Sequence, residues 1–167
     1  MAIVYDPQNR TFTLHTAHTS YQMQANRFDR LLHLYYGRRT EGCLDYLLCF
    51  ADRGFSGNPA DAGEDRSYSL DALPQEFPVQ GTGDHRSPLL IVKDGTGTCS
   101  CDLKLESHEI RRGKYALEGL PAVYADAETD EAETLELRLE NERLGLRVTL
   151  LYGVLPELDI ITRAAVL

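Results

Sequence analysis

Thr134-Leu135-Glu136-Leu137-Arg138-Leu139-Glu140 sets leucine at every second position with polar groups between. Side chains of an extended chain point alternately to opposite faces, so this spacing predicts a strand with one apolar and one wetted face. Asn141-Glu142-Arg143 follows as a polar turn, after which Leu144, Leu146, Val148 and Leu150 repeat the pattern. Two such strands joined by a short turn make an antiparallel hairpin whose apolar face needs a second layer to cover it. The hairpin's glutamates form its solvated side.

The same period recurs outward from the hairpin. Residues 3–5 and 11–15 flank Asp6-Pro7-Gln8-Asn9, a turn composition, and 20–25 and 31–36 read as the next strands. Further strands are expected at 89–93, 101–106, 108–112, 122–125 and 159–166. Residues 43–50, apolar with few β-branched side chains, read as one short helix. About ten short strands and almost no helical periodicity predict an all-β antiparallel sandwich occupying residues 1–167 as one domain.

Residues 51–88 depart from this. They hold four of the seven prolines (Pro59, Pro74, Pro78, Pro88) and five of the thirteen glycines, with no sustained period. Structureless connections beyond about 12 to 15 residues are usually functional or disordered. Phe55, Tyr68 and Phe77, with Leu70 and Leu73, favour an ordered excursion pinned to the sandwich, because disordered linkers are poor in such residues.

Composition narrows the function. The 167 residues are 43% hydrophobic and 26% charged, and no apolar run approaches the ~18 residues that suggest a membrane span. The net charge of −9 comes mostly from residues 126–142, where Arg138 alone opposes Asp126, Glu128, Asp130, Glu131, Glu133, Glu136, Glu140 and Glu142. Such a balance disfavours nucleic acid and anionic membranes as partners and suits a neutral ligand or another protein. Met1-Ala2-Ile3-Val4-Tyr5-Asp6 has no signal-peptide pattern, which makes the cytoplasm the expected location. Cys43, Cys49, Cys99 and Cys101 are compatible with two disulfides, a metal site or free thiols. Free thiols are expected, because the spacings are not those of zinc pairs and the cytoplasm is reducing. Cys99 and Cys101 would then share a strand face with Leu103 and Leu105.

Few residues point to chemistry. The histidines show no catalytic or metal-binding spacing, with His33 reading as a sandwich residue. Ser56 lacks the Gly-x-Ser-x-Gly elbow, and Asp94-Gly95-Thr96-Gly97 reads as a turn. Neither a metal nor a cofactor is expected. What remains is the loop, where Asp52-Arg53, Asp65-Arg66 and Asp84-His85-Arg86 place carboxylates beside guanidiniums. Two readings stand: these groups hydrogen-bond sugar hydroxyls, or they are ion pairs that fix the loop's shape.

The loop also carries a resemblance. Arg53-Gly54-Phe55-Ser56-Gly57-Asn58-Pro59, the run Asp65-Arg66-Ser67-Tyr68-Ser69-Leu70-Asp71-Ala72-Leu73-Pro74-Gln75-Glu76-Phe77-Pro78, and Gly81-Thr82-Gly83-Asp84-His85-Arg86-Ser87-Pro88 are similar to the N-terminal region of bacterial α-galactosidases of glycoside hydrolase family 36. Ser20-Tyr21-Gln22-Met23-Gln24, His33-Leu34-Tyr35-Tyr36-Gly37, Gly119-Leu120-Pro121-Ala122 and Asp159-Ile160-Ile161-Thr162-Arg163 extend the match over nearly the whole chain. The resemblance implies the first part of a galactose-mutarotase-like β-supersandwich, followed in the family by a β/α barrel that carries both catalytic aspartates and by a small β-domain. It implies a non-catalytic domain of a longer retaining enzyme acting on raffinose-type or melibiose-type α-galactosides. It further implies a homotetramer in which this domain reaches a neighbour's active site, with Asp52 and Arg66 at the positions that bind substrate there. A stand-alone carbohydrate-binding sandwich is the alternative. A mutarotase-like enzyme would need a His and Glu pair that the sequence does not reveal.

Overall fold

Strands β1 (Ile3–Asp6), β2 (Thr11–His15), β3 (Thr19–Ala25) and β4 (Leu31–Arg38) form one antiparallel meander, and β5 (Lys104–Arg112), β6 (Glu133–Asn141), β7 (Leu146–Leu155) and β8 (Ile160–Val166) form a second. The computed structural model describes residues 1–54, 57–123, 125 and 131–167. In the β6–β7 hairpin Leu139 faces Val148, Leu137 faces Leu150 and Leu135 faces Tyr152. All six are buried, and they pack against Ile3, Phe12, Leu14 and Met23 of the first sheet. The core is therefore the space between the two apolar faces, as the alternation requires.

Polar contacts stitch the sheets together at their margins. Glu133 Oε2 accepts hydrogen bonds from the backbone N–H groups of Ala2 (2.9 Å) and Ile3 (2.7 Å). At another point the Asp159 carboxylate meets the His18 backbone N–H at 2.9 Å and its ring Nδ1 at 2.6 Å. That contact with His18, with further bonds from Thr16 and the His18 backbone, pulls the Asp159 carboxyl down to about 2.

The sequence reading needs several corrections. Residues 101–106 and 108–112 are not two strands but one, β5, interrupted by a bulge that places Glu106 between the pairs Leu105–Leu139 and Ser107–Arg138. Cys101 and Leu103 are buried as expected, yet they precede the strand. Residues 89–93 alternate, with Leu90 and Val92 against the core and Leu89 and Ile91 outward. They nevertheless form no strand, because their pairing is limited to a single bridge between Leu90 and Val79. Ala122, Val123 and Ala125 carry no strand either, and Tyr124 lies outside the described residues. The short helix at 43–50 shrinks to a 3-10 turn over Asp45–Leu47.

The outer face of the hairpin is also less solvated than expected. Glu136 pairs with Arg111 and Arg138, each at 2.8 Å, and Glu140 pairs with Arg147 at 3.2 Å. Asp126, Glu128 and Asp130 lie outside the described residues. All four cysteines are unbridged.

Candidate functional site

The loop 51–88 folds over the first sheet on a small core of its own. Tyr68, Leu70 and Leu73 are buried with Leu32 of β4 and Ala62, and Phe28 and Leu48 pack against them. Phe77 joins the main core, whereas Phe55 lies outside the described residues. At Gly83 (φ +84°) a Cβ would stand 2.5 Å from the Gly57 carbonyl oxygen, so the two ends of the loop meet through a residue without a side chain.

Ion pairs built on the buried side chains of Arg30 and Asp84 then lock this fold. Arg30, in the β3–β4 turn, grips Asp102 through Nε (2.9 Å) and Nη2 (2.5 Å) and reaches Asp61 of the loop at 2.8 Å. Lys104 joins Asp61 at 3.0 Å. Further along, Arg86 holds Asp84 with a two-pronged contact, both arms at 2.8 Å, and donates to the carbonyls of Leu70 (2.8 Å) and Leu73 (2.6 Å). Burial alone would raise the Asp84 carboxyl, but the bonds from Arg86 and Gln75 outweigh it and leave the group below its ordinary value.

Glu76 is the deepest of these charges, its side chain only 1% exposed. One of its oxygens accepts from Tyr152 at 2.6 Å, both lie 2.7 Å from the Tyr21 hydroxyl, and Arg163 Nη2 stands 3.1 Å away. Desolvation opposes the charge, yet His33, Arg163 and the two hydroxyls hold the carboxyl below its usual value. The same cluster pushes both tyrosine hydroxyls up, through burial first and the nearby carboxylate second. A single loop residue thus joins β3, β4, β7 and β8. His33 Nδ1 lies 3.3 Å from Glu76, so a His and Glu do meet. With its side chain 1% exposed and both oxygens already accepting hydrogen bonds, Glu76 is held as a structural acceptor, which argues against a mutarotase-like base.

The two residues singled out by the resemblance are at the opposite, exposed end, and the structure brings them together. Arg66 donates to Asp52 through Nε (3.0 Å) and Nη2 (3.4 Å) and to the Gly54 carbonyl at 2.9 Å, while the Gly54 N–H bonds Asp52 at 2.7 Å. Their side chains are 62% and 50% exposed. The Arg66 contact, then the Gly54 N–H, lowers the Asp52 carboxyl, and Asp52 raises the Arg66 guanidinium. Both groups stay charged near neutrality. Among the described residues no bond engages Arg66 Nη1, so the fork keeps donors for a ligand while the carboxylate keeps acceptor capacity.

Sequence neighbours are not the partners here. Asp65 turns away from Arg66 to bond Arg27 at 2.5 Å and to cap the Ser67 N–H at 3.0 Å, and Arg53 pairs with Asp71 at 3.5 Å. Of the local pairs only Asp84 with Arg86 closes on itself. Glu76, Arg30 and Arg163 were not singled out from the sequence; the flanking Pro74 and Pro78 were the one local sign that Glu76 is held in place.

Comparison with known proteins agrees with this architecture. Residues 29–167 match the glycosyl hydrolase family 36 N-terminal domain. The chain is 58% identical, over 98% of its length, to the bifunctional alpha-galactosidase/sucrose kinase AgaSK of Mediterraneibacter gnavus, and 40% identical over 99% to alpha-galactosidase AgaA of Geobacillus stearothermophilus. It spans only 17% and 22% of those two relatives. Among solved structures, the galactosidase domain of AgaSK superposes with a TM-score of 0.94 over 98% of this chain and 22% of that one. The family 36 alpha-galactosidase AgaB of Geobacillus stearothermophilus, 42% identical, gives 0.90 over 99% and 22%. Variants of AgaA have been crystallised with raffinose and with stachyose. A two-sheet sandwich that matches these proteins along nearly its own whole length places the chain in glycoside hydrolase family 36, as its N-terminal domain.

Proposed function

We propose that this chain serves as the non-catalytic N-terminal domain of an α-galactosidase that removes terminal α-linked galactose from raffinose-type or melibiose-type oligosaccharides by a retaining mechanism. The observation that carries this reading is similarity along the whole chain to α-galactosidases. In this reading the enzyme is a cytoplasmic homotetramer, and unbridged cysteines suit that location. The domain supports the assembly and presents Asp52 and Arg66 at the entrance of a neighbour's active site, where Arg66 donates to sugar hydroxyls and Asp52 orients it and accepts from them.

The acid and nucleophile of a retaining mechanism are two carboxyl groups about 5 to 5.5 Å apart on either side of the scissile bond. These belong to the barrel, so the 167-residue chain by itself should not turn over an aryl α-galactoside. The role of the loop is tested in the longer enzyme by Arg66→Ala, with kinetics and sedimentation on one sample. An intact oligomer whose kcat/KM on raffinose falls about ten- to a hundredfold is expected for a charge-assisted contact kept in the transition state. An intact oligomer with unchanged kcat/KM would return Arg66 to a purely structural part.

A further inference from the structure

We propose that a cleft at one end of the first sheet, between the β1–β2 turn, the β3–β4 turn and residues 65–68 of the loop, is a second binding site for a neutral oligosaccharide, with Phe50 as its stacking platform. The cleft encloses about 530 Å³ and includes the ring of Phe50, which is 51% exposed. Its polar lining includes the amides of Gln8, Asn9 and Gln24, which both donate and accept, and the Ser67 hydroxyl, which is left as an acceptor because it donates to Asp65 at 2.6 Å. Sugars need that combination. Their C–H faces pack on an aromatic ring while their hydroxyls exchange hydrogen bonds in both directions.

Charge selects the ligand class further. The two guanidiniums that border the cleft are already neutralised, Arg10 by Asp29 and Arg27 by Asp65, each at 2.5 Å. Arg27 also lies over the Phe28 ring, 4.7 Å from its centre, which fixes the plane of its guanidinium. A site with balanced charge has no net attraction for an anion or a cation, so it fits an uncharged ligand. Internal bonds leave capacity to spare: Gln24 Nε2 uses one N–H on the Asn9 carbonyl (3.0 Å) and Asn9 Nδ2 one on Asp6 (2.7 Å), and among the described residues neither amide oxygen accepts a bond.

The choice of galacto-oligosaccharide among neutral ligands rests on the function proposed above. Phe50 precedes Asp52 by two positions, and Asp65 and Ser67 flank Arg66, so part of the cleft's lining adjoins the exposed ion pair in the chain.

The test is an NMR titration of the isotope-labelled 167-residue chain with stachyose. Saturable shifts at the side-chain amide of Gln24, the backbone of Ser67 and the ring of Phe50, with an affinity in the millimolar range, are expected. Phe50→Leu keeps an apolar side chain but removes the ring, and should weaken binding about tenfold. Leu89→Ala, an exposed position outside the cleft's lining, should leave it unchanged. No saturable shift into the tens of millimolar, shifts centred elsewhere, or equal affinity in Phe50→Leu would each overturn the cleft. Those outcomes leave the Arg66 kinetics of the longer enzyme untouched, so failure of the cleft is separable from failure of the galactosidase reading.

Discussion

The Glu76 and Asp84 carboxylates and the Asp52–Arg66 pair belong to one loop, and all of them engage guanidiniums, but to different ends. In the first, the Glu76 and Asp84 side chains are only 1% and 2% exposed, while their partners Arg163 and Arg86 are 40% and 47% exposed and Arg86 also donates to the Leu70 and Leu73 carbonyls. In the second, Asp52 and Arg66 are at least half exposed and touch little beyond each other and Gly54. A buried charge must be paired or it costs several kcal/mol, whereas an exposed pair is worth about 0 to 1 kcal/mol. The same residue types thus act as a lock at one end and as an available hydrogen-bonding surface at the other.

The sharpest way to break this contrast is Glu76→Gln. It leaves Arg163 without its counter-charge and turns an acceptor into a donor beside two tyrosine hydroxyls, so a loss of about 3 to 5 kcal/mol in urea unfolding is expected. Next in size is Arg86→Ala. Losing the guanidinium strands the buried Asp84 carboxylate and uncaps the Leu70 and Leu73 carbonyls, for about 1 to 3 kcal/mol by the same measurement.

Acid should act through the same end. Glu76 and Asp84 are held below their ordinary values of 4.5 and 3.8, so the folded chain releases these protons more readily than the unfolded one. Their stabilisation is complete above those ordinary values and is lost as pH falls through the lower folded ones. The share of the urea midpoint owed to these two carboxylates should therefore hold steady on acidification until about pH 5 and then decline, whereas His15 and His108, lowered by burial, cost stability already as pH falls through their ordinary value of 6.5. Glu76→Gln should flatten that decline; a parallel curve would remove Glu76 from the account.

Much of the frame was legible in the sequence, and the reason lies in period. Leu135, Leu137 and Leu139 against Val148 and Leu150 specify both faces of the hairpin, and the observed register pairs them. Alternation reports sidedness, however, not a partner, which is why residues 89–93 mimic a strand with no ladder to join. The lock was hidden for a different reason. Glu76 meets Tyr21, Tyr152 and Arg163 across separations of 55, 76 and 87 residues, which no local pattern encodes. Asp52 and Arg66 came from family resemblance, while adjacency alone suggested Asp65 with Arg66; the chain instead pairs Arg66 with a residue 14 positions away because Asp65 is engaged by Arg27 and the Ser67 turn.

The smallest expected effect completes the comparison and tests it most directly. Thermal unfolding of Arg66→Ala and Glu76→Gln, measured side by side in this chain, should leave the midpoint of Arg66→Ala indistinguishable from the parent. The midpoint of Glu76→Gln should fall by roughly 10 °C, at about 2 to 4 °C per kcal/mol for a domain of this size. Equal losses in the two variants, or a larger one for Arg66→Ala, would contradict the division of the loop into a structural end and a binding end.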